Sequence, residues 1–390
     1  MDFEIDEELK MVQSLARDFV SEQLKPLERD LLGRAANLSD ARIYLPPETE
    51  AKLVKMANEL GLWGIGIPEE LGGVGFSTLG NCLIAEELAQ TVIPFNFGDV
   101  TPILFDCNDQ QRESYFLPAL NRQKQAYLAL MEPGKAVELT RMGLKAQKEN
   151  GHYILNGQKV SFSRPGDDYF AVVFAATGEK EGRDSLTGFL VDADTPGFRV
   201  SGDGEPTGWR TQVREPMLLV FDNCQVPAAN ILGEEGQALH LGKKWLPSRR
   251  VVRAARSVGV ASRLLEEATT QAQSFESFGQ LAHKRSSIEA ALADIATAIH
   301  ACRLMVYEAA WKADEGRPIR REAAMVKLMA TEMVHSVASS VAHIYNGPPY
   351  VAGLPMERLC RHALATSATE LALEAQRKII ARDILKGLKI

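Results

Sequence analysis

The spacing of apolar residues changes twice along the chain, and this limits the possible architectures more than any other feature. In residues 7–30 and 48–60, apolar side chains recur at the spacing of a helix. From about Tyr127 to Leu232 the apolar runs are short, rich in β-branched and aromatic residues, and separated by Gly, Pro and Asp. After Gly236, long helical patterns return. The chain is therefore predicted to be mainly α with a central β domain.

Three domains follow from this order. They are an N-terminal helical domain at 1–126, a small β-barrel or sandwich domain at 127–235, and a C-terminal four-helix bundle at 236–390. A chain of 390 residues with 45% hydrophobic residues is long and apolar enough for two or three such domains. The bundle is predicted from four helical stretches with short connections, at 248–275, 286–315, 319–345 and 355–386.

Glycine-containing motifs predict two kinds of turn. Asn-Gly pairs at 150–151 and 156–157 bracket the short run 152–155, and Asn-Gly between β-prone runs is a strong hairpin signal. The glycine cluster at 72–75 lacks the Lys-Ser/Thr of a phosphate-binding loop, and no strand precedes it. A tight turn before the next helix is therefore predicted there rather than a phosphate site.

Net charge and the N-terminal sequence bear on the protein's location and its partners. With 44 Lys+Arg against 51 Asp+Glu the net charge is -7, which gives no basic surface for a nucleic acid. The N-terminus is acidic where a signal peptide is basic, and Gly, Pro or charge interrupts the apolar runs before membrane-spanning length. We therefore expect a cytoplasmic protein with no membrane span and no nucleic-acid partner.

Cysteines and histidines show no metal or disulfide pattern. The histidines form no HExxH pair and no His-Cys cluster, so no metal site is predicted. The cysteines are odd in number, scattered and without a CxxC pair, which favours buried thiols over a disulfide framework. They are Cys82, Cys107, Cys224, Cys302 and Cys360.

Six short stretches, in their order and spacing, resemble the acyl-CoA dehydrogenase family along essentially the whole chain. The resemblance implies FAD bound between the β domain and the bundle, and an acyl-CoA thioester lying across the flavin. It also implies a tetramer in which neighbouring bundles share each cofactor. The stretches lie at 61–75, 132–134, 156–159, 221–227, 354–359 and 381–385.

The chemistry of this family requires a carboxylate base. The base removes the acidic α-proton of the thioester while the flavin accepts a hydride from the β-carbon. The larger branch of the family carries this base in a Tyr-Glu-Gly-Thr motif, which matches TELA at 369–372, so the resemblance implies Glu370 as the catalytic residue. An alternative is open, because no Gly or Pro interrupts residues 356–386 and Leu371 and Ala372 favour a helix. On one continuous helix, Glu370 and Glu374 would form an ordinary solvated face.

The resemblance also assigns cofactor contacts to both sides of the expected flavin site. In the β domain, the family's Thr-Glu-Pro-Gly turn survives in residues 131–134, and its Trp-Ile-Thr matches 161–163, which keeps a hydroxyl at Ser163. In the bundle, Phe-Gly of the family's Arg-x-x-Phe-Gly motif and one glycine of a Gly-Gly-x-Gly turn remain. The residues implied are Glu132, Pro133, Gly134, Ser163, Phe278, Gly279 and Gly347.

Several family residues that hold FAD are replaced. Phe275 stands where an arginine would bind the FAD pyrophosphate, and Glu276 adds a negative charge beside it. In the turn at 346–349, two prolines remove backbone donors. Together these replacements argue against a flavin site that this chain completes alone.

Three cations are candidates for substrate contact. Arg250 matches a family arginine at the start of the first bundle helix, near the active site. The alternative is that it is one of several solvated cations on that helix. Lys135 and Arg141 are candidate contacts for the phosphates of CoA, although exposed cations on a loop need no such role.

Three functions are consistent with these residues. The first is a working FAD-dependent acyl-CoA dehydrogenase with Glu370 as base. The second, which we predict, is the weaker or non-catalytic subunit of a heteromeric dehydrogenase, a heterotetramer with a second acyl-CoA dehydrogenase-like subunit. Such unequal pairs are a known theme of the family, especially for bulky acyl groups such as steroid side chains or dicarboxylates. The resemblance thus implies a role in fatty acid or steroid side-chain degradation, with an electron-transferring flavoprotein as the electron acceptor. The third is a flavin-free member that acts as a non-redox acyl-CoA lyase or an acyl-CoA-binding protein.

Overall fold

The chain divides into two compact units. Residues 1–97 and 247–390 form one unit, and residues 98–246 form the other. The structure is a computed structural model, and it describes residues 4–37, 45–134, 141–161, 168–180, 182–201, 217–277, 279–345, 353–366 and 373–387.

Where the structure describes it, the N-terminal part of the first unit contains four α-helices. The helical pattern over 7–30 is interrupted by a π-helical turn and a 3₁₀ turn that contains Pro26. Proline has no backbone N–H, so regular α-helical hydrogen bonding does not continue through this point. The helices are α1 (Glu7–Phe19), α2 (Glu28–Asn37), α3 (Pro47–Glu59) and α4 (Thr78–Leu88).

The glycine cluster at 72–75 forms the predicted tight turn. Gly72 and Gly75 have φ values of +88° and +66°, a left-handed conformation that residues with a Cβ rarely adopt. Helix α4 begins three residues later, and its N-cap Ser77 accepts a hydrogen bond from the backbone N–H of Gly80 at 3.0 Å. The cluster is thus a helix-entry turn.

The second part of this unit contains the predicted bundle helices. Three of the four predictions are confirmed to within two residues, and residues 367–372 of the fourth lie outside the described residues. The two parts share one hydrophobic core, and at Gly259 a Cβ would lie 2.0 Å from the carbonyl oxygen of Glu86 in α4. The short helices α5 (Asp109–Gln111) and α6 (Leu117–Leu120) belong to the other unit. The bundle helices are α7 (Leu246–Ser274), α8 (Ser286–Asp314), α9 (Arg320–Tyr345), α10 (Pro355–Ala365) and α11 (Leu373–Leu385).

Helix α8 is long and apolar enough, by length and composition alone, to cross a membrane. It also packs against α9 and α4, with Ile295, Ile299 and Val306 buried in the shared core. A core helix of a bundle passes the same test, so this property is weak support for a membrane span.

The second unit is built around one mixed sheet. Among its described residues, eight strands lie in the spatial order β6-β7-β3-β2-β4-β5-β8, with β1 paired in parallel to β4. A hydrophobic core lies on one face of the sheet, where Phe198 stacks on Phe221 and Tyr153 packs against Phe189. The strands are β1 (Gln125–Ala129), β2 (Lys145–Glu149), β3 (His152–Ser161), β4 (Tyr169–Lys180), β5 (Arg183–Asp192), β6 (Phe198–Ser201), β7 (Met217–Pro227) and β8 (Ile231–Leu232).

Only one of the two Asn-Gly pairs forms a hairpin. Asn150 and Gly151, with φ values of +46° and +82°, connect β2 to β3, as predicted. The hairpin prediction for 156–157 is wrong, because this pair lies inside β3 at a bulge in its pairing with β7. A Cβ on Gly157 would lie 2.9 Å from the Cα of Leu144, so the glycine permits a close backbone approach.

The five cysteines are free thiols. Four of them are buried, as the sequence predicts, and Cys360 is half-buried. Burial raises the pKa of Cys302 to about 12, which keeps this thiol protonated at neutral pH.

Candidate active site

The structure describes five of the nine predicted site residues. In the β unit, Glu132, Pro133 and Gly134 lie directly after β1, and Gly134 has a φ of +68°. Arg250 lies in the first turns of α7, and Gly279 lies in the short hairpin of β9 (Glu276–Ser277) and β10 (Gln280–Leu281). Four others lie outside the described residues, namely Glu370, Ser163, Phe278 and Gly347.

The carboxylate of Glu132 is directed at groups of its own unit. Its oxygens accept the backbone N–H of Gly143 at 2.7 Å and 2.9 Å, and that of Leu144 at 2.9 Å. The Nζ of Lys159 lies 3.1 Å from Oε1. Burial alone would raise the pKa of Glu132, but these amides and the ammonium outweigh it and lower the pKa to about 2. The side chain is thus ionised and joins three parts of the chain.

Lys159 is a fully buried lysine in β3, with no exposed surface. Besides Glu132, its ammonium contacts the carbonyl oxygen of Leu130 and the sulfur of Met142, both at 3.3 Å. A buried ammonium is stable only when it is paired and hydrogen-bonded. Lys159 stands in the family-like stretch 156–159, but its charge gave no sign of burial and no role was predicted for it.

Backbone pairing holds the same region together. The N–H of Val160 donates to the carbonyl oxygen of Met131 at 2.8 Å, in an isolated antiparallel bridge. The turn 132–134 and the end of β3 are therefore connected by a main-chain bond and by the buried ion pair. These are the two β-unit segments to which the resemblance assigns flavin contacts.

A second carboxylate fixes the neighbouring segment. Asp184 accepts the N–H of Met142 at 2.5 Å and lies 3.1 Å from the Nζ of Lys145. Three successive backbone amides, at residues 142, 143 and 144, thus donate to carboxylates. Beside them lies a cavity of about 290 Å³, lined by Arg141, Met142, Lys145, Glu179, Gly182 and Asp184. Of these residues, the sequence had singled out only Arg141.

Arg250 is only 9% exposed. A side chain so buried does not fit the alternative of an ordinary solvated cation. Its neighbours on α7 include Val251 and Ala254, which belong to the hydrophobic core. Its role in substrate binding stays a prediction.

The residues that the resemblance places at the pyrophosphate position do not supply a cation. Phe275 directly follows α7 and is 39% exposed, and Glu276 beside it is exposed. A pyrophosphate needs a fixed cationic donor, and neither side chain provides one. Residues 275–276 therefore do not fit the pyrophosphate of an FAD molecule bound as the resemblance implies. In the β unit, the contacts described above hold the turn at 132–134 against the end of β3.

Comparison with known proteins gives matches along nearly the whole chain. Three family models match: the acyl-CoA dehydrogenase N-terminal domain at residues 6–124, the middle domain at 128–224 and the C-terminal domain at 239–385. An acyl-CoA dehydrogenase of Bacillus subtilis (strain 168) is 31% identical, over 98% of this chain and 99% of its own. The (R)-benzylsuccinyl-CoA dehydrogenase of Thauera aromatica is 30% identical, over 99% and 97%.

A solved structure agrees with these sequence matches. The structure of butyryl-CoA dehydrogenase from Megasphaera elsdenii superposes with a TM-score of 0.82 at 27% identity, and covers 99% of this chain and 100% of its own. The chain therefore belongs to the acyl-CoA dehydrogenase family, the oxidoreductases that act on CH–CH bonds. FAD is the cofactor expected of a member of this family. The predicted fold class is confirmed.

Proposed function

We propose that the chain takes part in α,β-dehydrogenation of an acyl-CoA thioester as the weaker or non-catalytic subunit of a heteromeric enzyme. The observation that carries this proposal is the pair Phe275 and Glu276, which stands where the family binds the FAD pyrophosphate with an arginine. A pyrophosphate beside a carboxylate and without a cation would bind weakly, because it would lack its charge partner and be repelled by Glu276. A cation from a second acyl-CoA dehydrogenase-like subunit would remove this penalty.

Where this chain itself contributes a base, the proposed catalytic residue is Glu370, which would take the α-proton of the thioester. Bound FAD would supply the acceptor for the hydride from the β-carbon. The other proposed cofactor residues are those at 132–134, 163, 278–279 and 347, and Arg250 is proposed to bind substrate. The domain boundaries proposed for this arrangement stay at 126/127 and 235/236.

A binding place for the CoA part of the substrate is supported by charge. Arg141 and Lys145 both line the cavity described above, and two cations beside an open polar cavity suit phosphate groups. Asp184 at the same cavity is already engaged by Lys145 and by the N–H of Met142, which reduces its repulsion of an anion. We assign the electron acceptor to an electron-transferring flavoprotein and the location to the cytoplasm.

The visible absorption spectrum of the purified chain tests this proposal, measured on the chain alone and co-expressed with a dehydrogenase-like partner. Flavin that is absent from the lone chain but present in the complex would support the heteromer. Flavin in the lone chain that an acyl-CoA bleaches would show a self-sufficient enzyme. A complete lack of flavin in both samples would favour the alternative, a non-redox acyl-CoA lyase or acyl-CoA-binding protein.

A further inference from the structure

The ion pair between Glu132 and Lys159 lies where three chain segments converge. Lys159 belongs to β3, Glu132 follows β1, and the amides that bind Glu132 belong to residues 143–144. The lysine is fully buried, and the side chain of Glu132 is 9% exposed. Solvent and salt therefore screen this pair far less than an exposed one.

The contacts of the pair point inward, to the protein. Three acceptors lie within 3.3 Å of the Lys159 ammonium, which has three protons to donate. The Glu132 oxygens accept from two amides and from this ammonium. Neither group thus needs a cofactor to satisfy its charge.

The segments held by the pair are those with proposed flavin contacts. Pro133 and Gly134 follow Glu132 directly, and Ser163 lies four residues after Lys159. The bridge between Met131 and Val160 joins the same two segments through the main chain. A shift of the pair would therefore move both segments relative to each other.

We propose that Glu132 and Lys159 are positioning residues that set the spacing of the 132–134 turn and the end of β3 for the ring side of FAD. Their charged groups act through the segments that they hold. The cofactor contact proposed for residue 132 is then made by its backbone, since its carboxylate is engaged within the protein. This role rests on the proposed function, since it requires that the chain, alone or with its partner subunit, binds FAD.

The experiment measures the dissociation constant of FAD from flavin fluorescence, in whichever assembly of the wild type retains flavin. The variants are Lys159→Met, Glu132→Gln and the double variant Lys159→Met/Glu132→Gln. The matched control is Lys148→Met, which removes a lysine of β2 whose side chain is 62% exposed and pairs with Glu235 at 3.6 Å. Thermal unfolding of the flavin-free protein is measured for every variant.

Each single variant is expected to raise the FAD dissociation constant about tenfold or more, because it leaves one buried charge without its partner. The double variant is expected to lose less FAD binding free energy than the two single variants lose together, since neither buried charge is then left without its partner. Lys148→Met is expected to change the constant less than about twofold. Lys159→Arg keeps the charge and is expected to restore part of the affinity.

Two results would overturn the role. Variants that unfold at a lower temperature yet bind FAD like the wild type would show that the pair stabilises the fold without positioning a cofactor site. If Lys159→Met does not fold, Glu132→Asp serves instead, because it keeps the charge and shortens the side chain by one methylene. Wild-type FAD affinity in folded Glu132→Asp would likewise contradict positioning. An absence of flavin from the wild type in every assembly would instead refute the proposed function itself.

Discussion

The ammonium of Lys327 lies 2.7 Å from the carbonyl oxygen of Thr366. Lys327 is a buried residue of α9, only 2% exposed, and Thr366 is the C-cap of α10. A helix leaves its last carbonyl groups unpaired, and its C-terminus carries partial negative charge. Lys327 thus neutralises the end of α10 from inside the bundle.

Replacement of this lysine is expected to destabilise the protein. Lys327→Met should lower the free energy of unfolding by about 2 kcal/mol, because it leaves a carbonyl at the end of α10 without its donor. Urea unfolding followed by far-UV circular dichroism measures the change. Lys55→Met is the control, since that lysine is 79% exposed and its i,i+4 pair with Glu59 is expected to contribute less than about 0.5 kcal/mol. Equal effects of the two variants would contradict the buried role of Lys327.

Glu370→Gln tests the proposed base. If this chain supplies the base, the variant is expected to lower turnover of an acyl-CoA by about 100-fold or more with unchanged flavin content, because the amide cannot accept the α-proton. The measurement uses the assembly that is active with the wild-type chain. Glu374→Gln, in the exposed part of α11, is the control and is expected to retain activity. Unchanged acyl-CoA oxidation by Glu370→Gln would remove this residue from the mechanism, and would assign the base to the partner if the heteromer is active.

Phe275→Arg tests the missing pyrophosphate contact. An arginine at this position is expected to raise FAD retention in the isolated chain severalfold, since a guanidinium can bind two phosphate oxygens at once. The ratio of flavin absorbance to protein absorbance after gel filtration measures retention. Phe275→Leu, which changes the aromatic ring but adds no charge, is the control. Equal retention by both variants would show that the other replacements in the pocket dominate.

The pH dependence of stability tests the state of Glu132. Its pKa is lowered from 4.5 to about 2, so folding favours the ionised form. The resulting stabilisation is fully present above pH 4.5 and is lost as the pH falls towards 2. The stability advantage of the wild type over Glu132→Gln is therefore expected to shrink across this range. Urea titrations at about pH 5.5 and about pH 3.5 measure it, and an advantage that stays constant would contradict the ionised pair.

Gly157→Ala is expected to destabilise the β unit by about 1–3 kcal/mol. The φ of this glycine is +139°, and an added Cβ would lie 2.9 Å from the Cα of Leu144. Gly178→Ala is the matched control, since a Cβ there meets nothing within 4 Å. Thermal unfolding of both variants measures the difference. An unfolding temperature of Gly157→Ala equal to that of Gly178→Ala would mean that the bulge can move away from Leu144 without loss of stability.

The parts of the fold that depend on local sequence were predictable. The helical spacing before residue 61 and after Gly236 reflects one buried face per helix, and the Asn150-Gly151 hairpin needs only its own two residues. The second Asn-Gly pair has the same local chemistry, but its conformation depends on the backbone of Leu144, thirteen residues before Gly157. Local rules therefore gave the wrong structure there.

The candidate site was less accessible to sequence reasoning. Glu132 could be named because it stands in a recognisable stretch, but its partners lie 11 to 27 residues further along the chain. Nothing near Lys159 marks it as buried, since lysine is ordinarily an exposed residue. The family resemblance identified where a flavin site is expected, while the carboxylate contacts that order it emerge only from the tertiary structure.

The division of the chain into two units affects how it folds during translation. Residues 98–246 are inserted between the two parts of the helical unit. At ordinary rates of translation, roughly 10–30 s separate the synthesis of α4 from that of α7, which packs on it. During this interval α1 and α4 can pack against each other, but the faces of α4 that contact α7 and α8 are without their partners, while the inserted β unit can already fold. The nascent chain is thus expected to depend on chaperones until its C-terminal helices emerge.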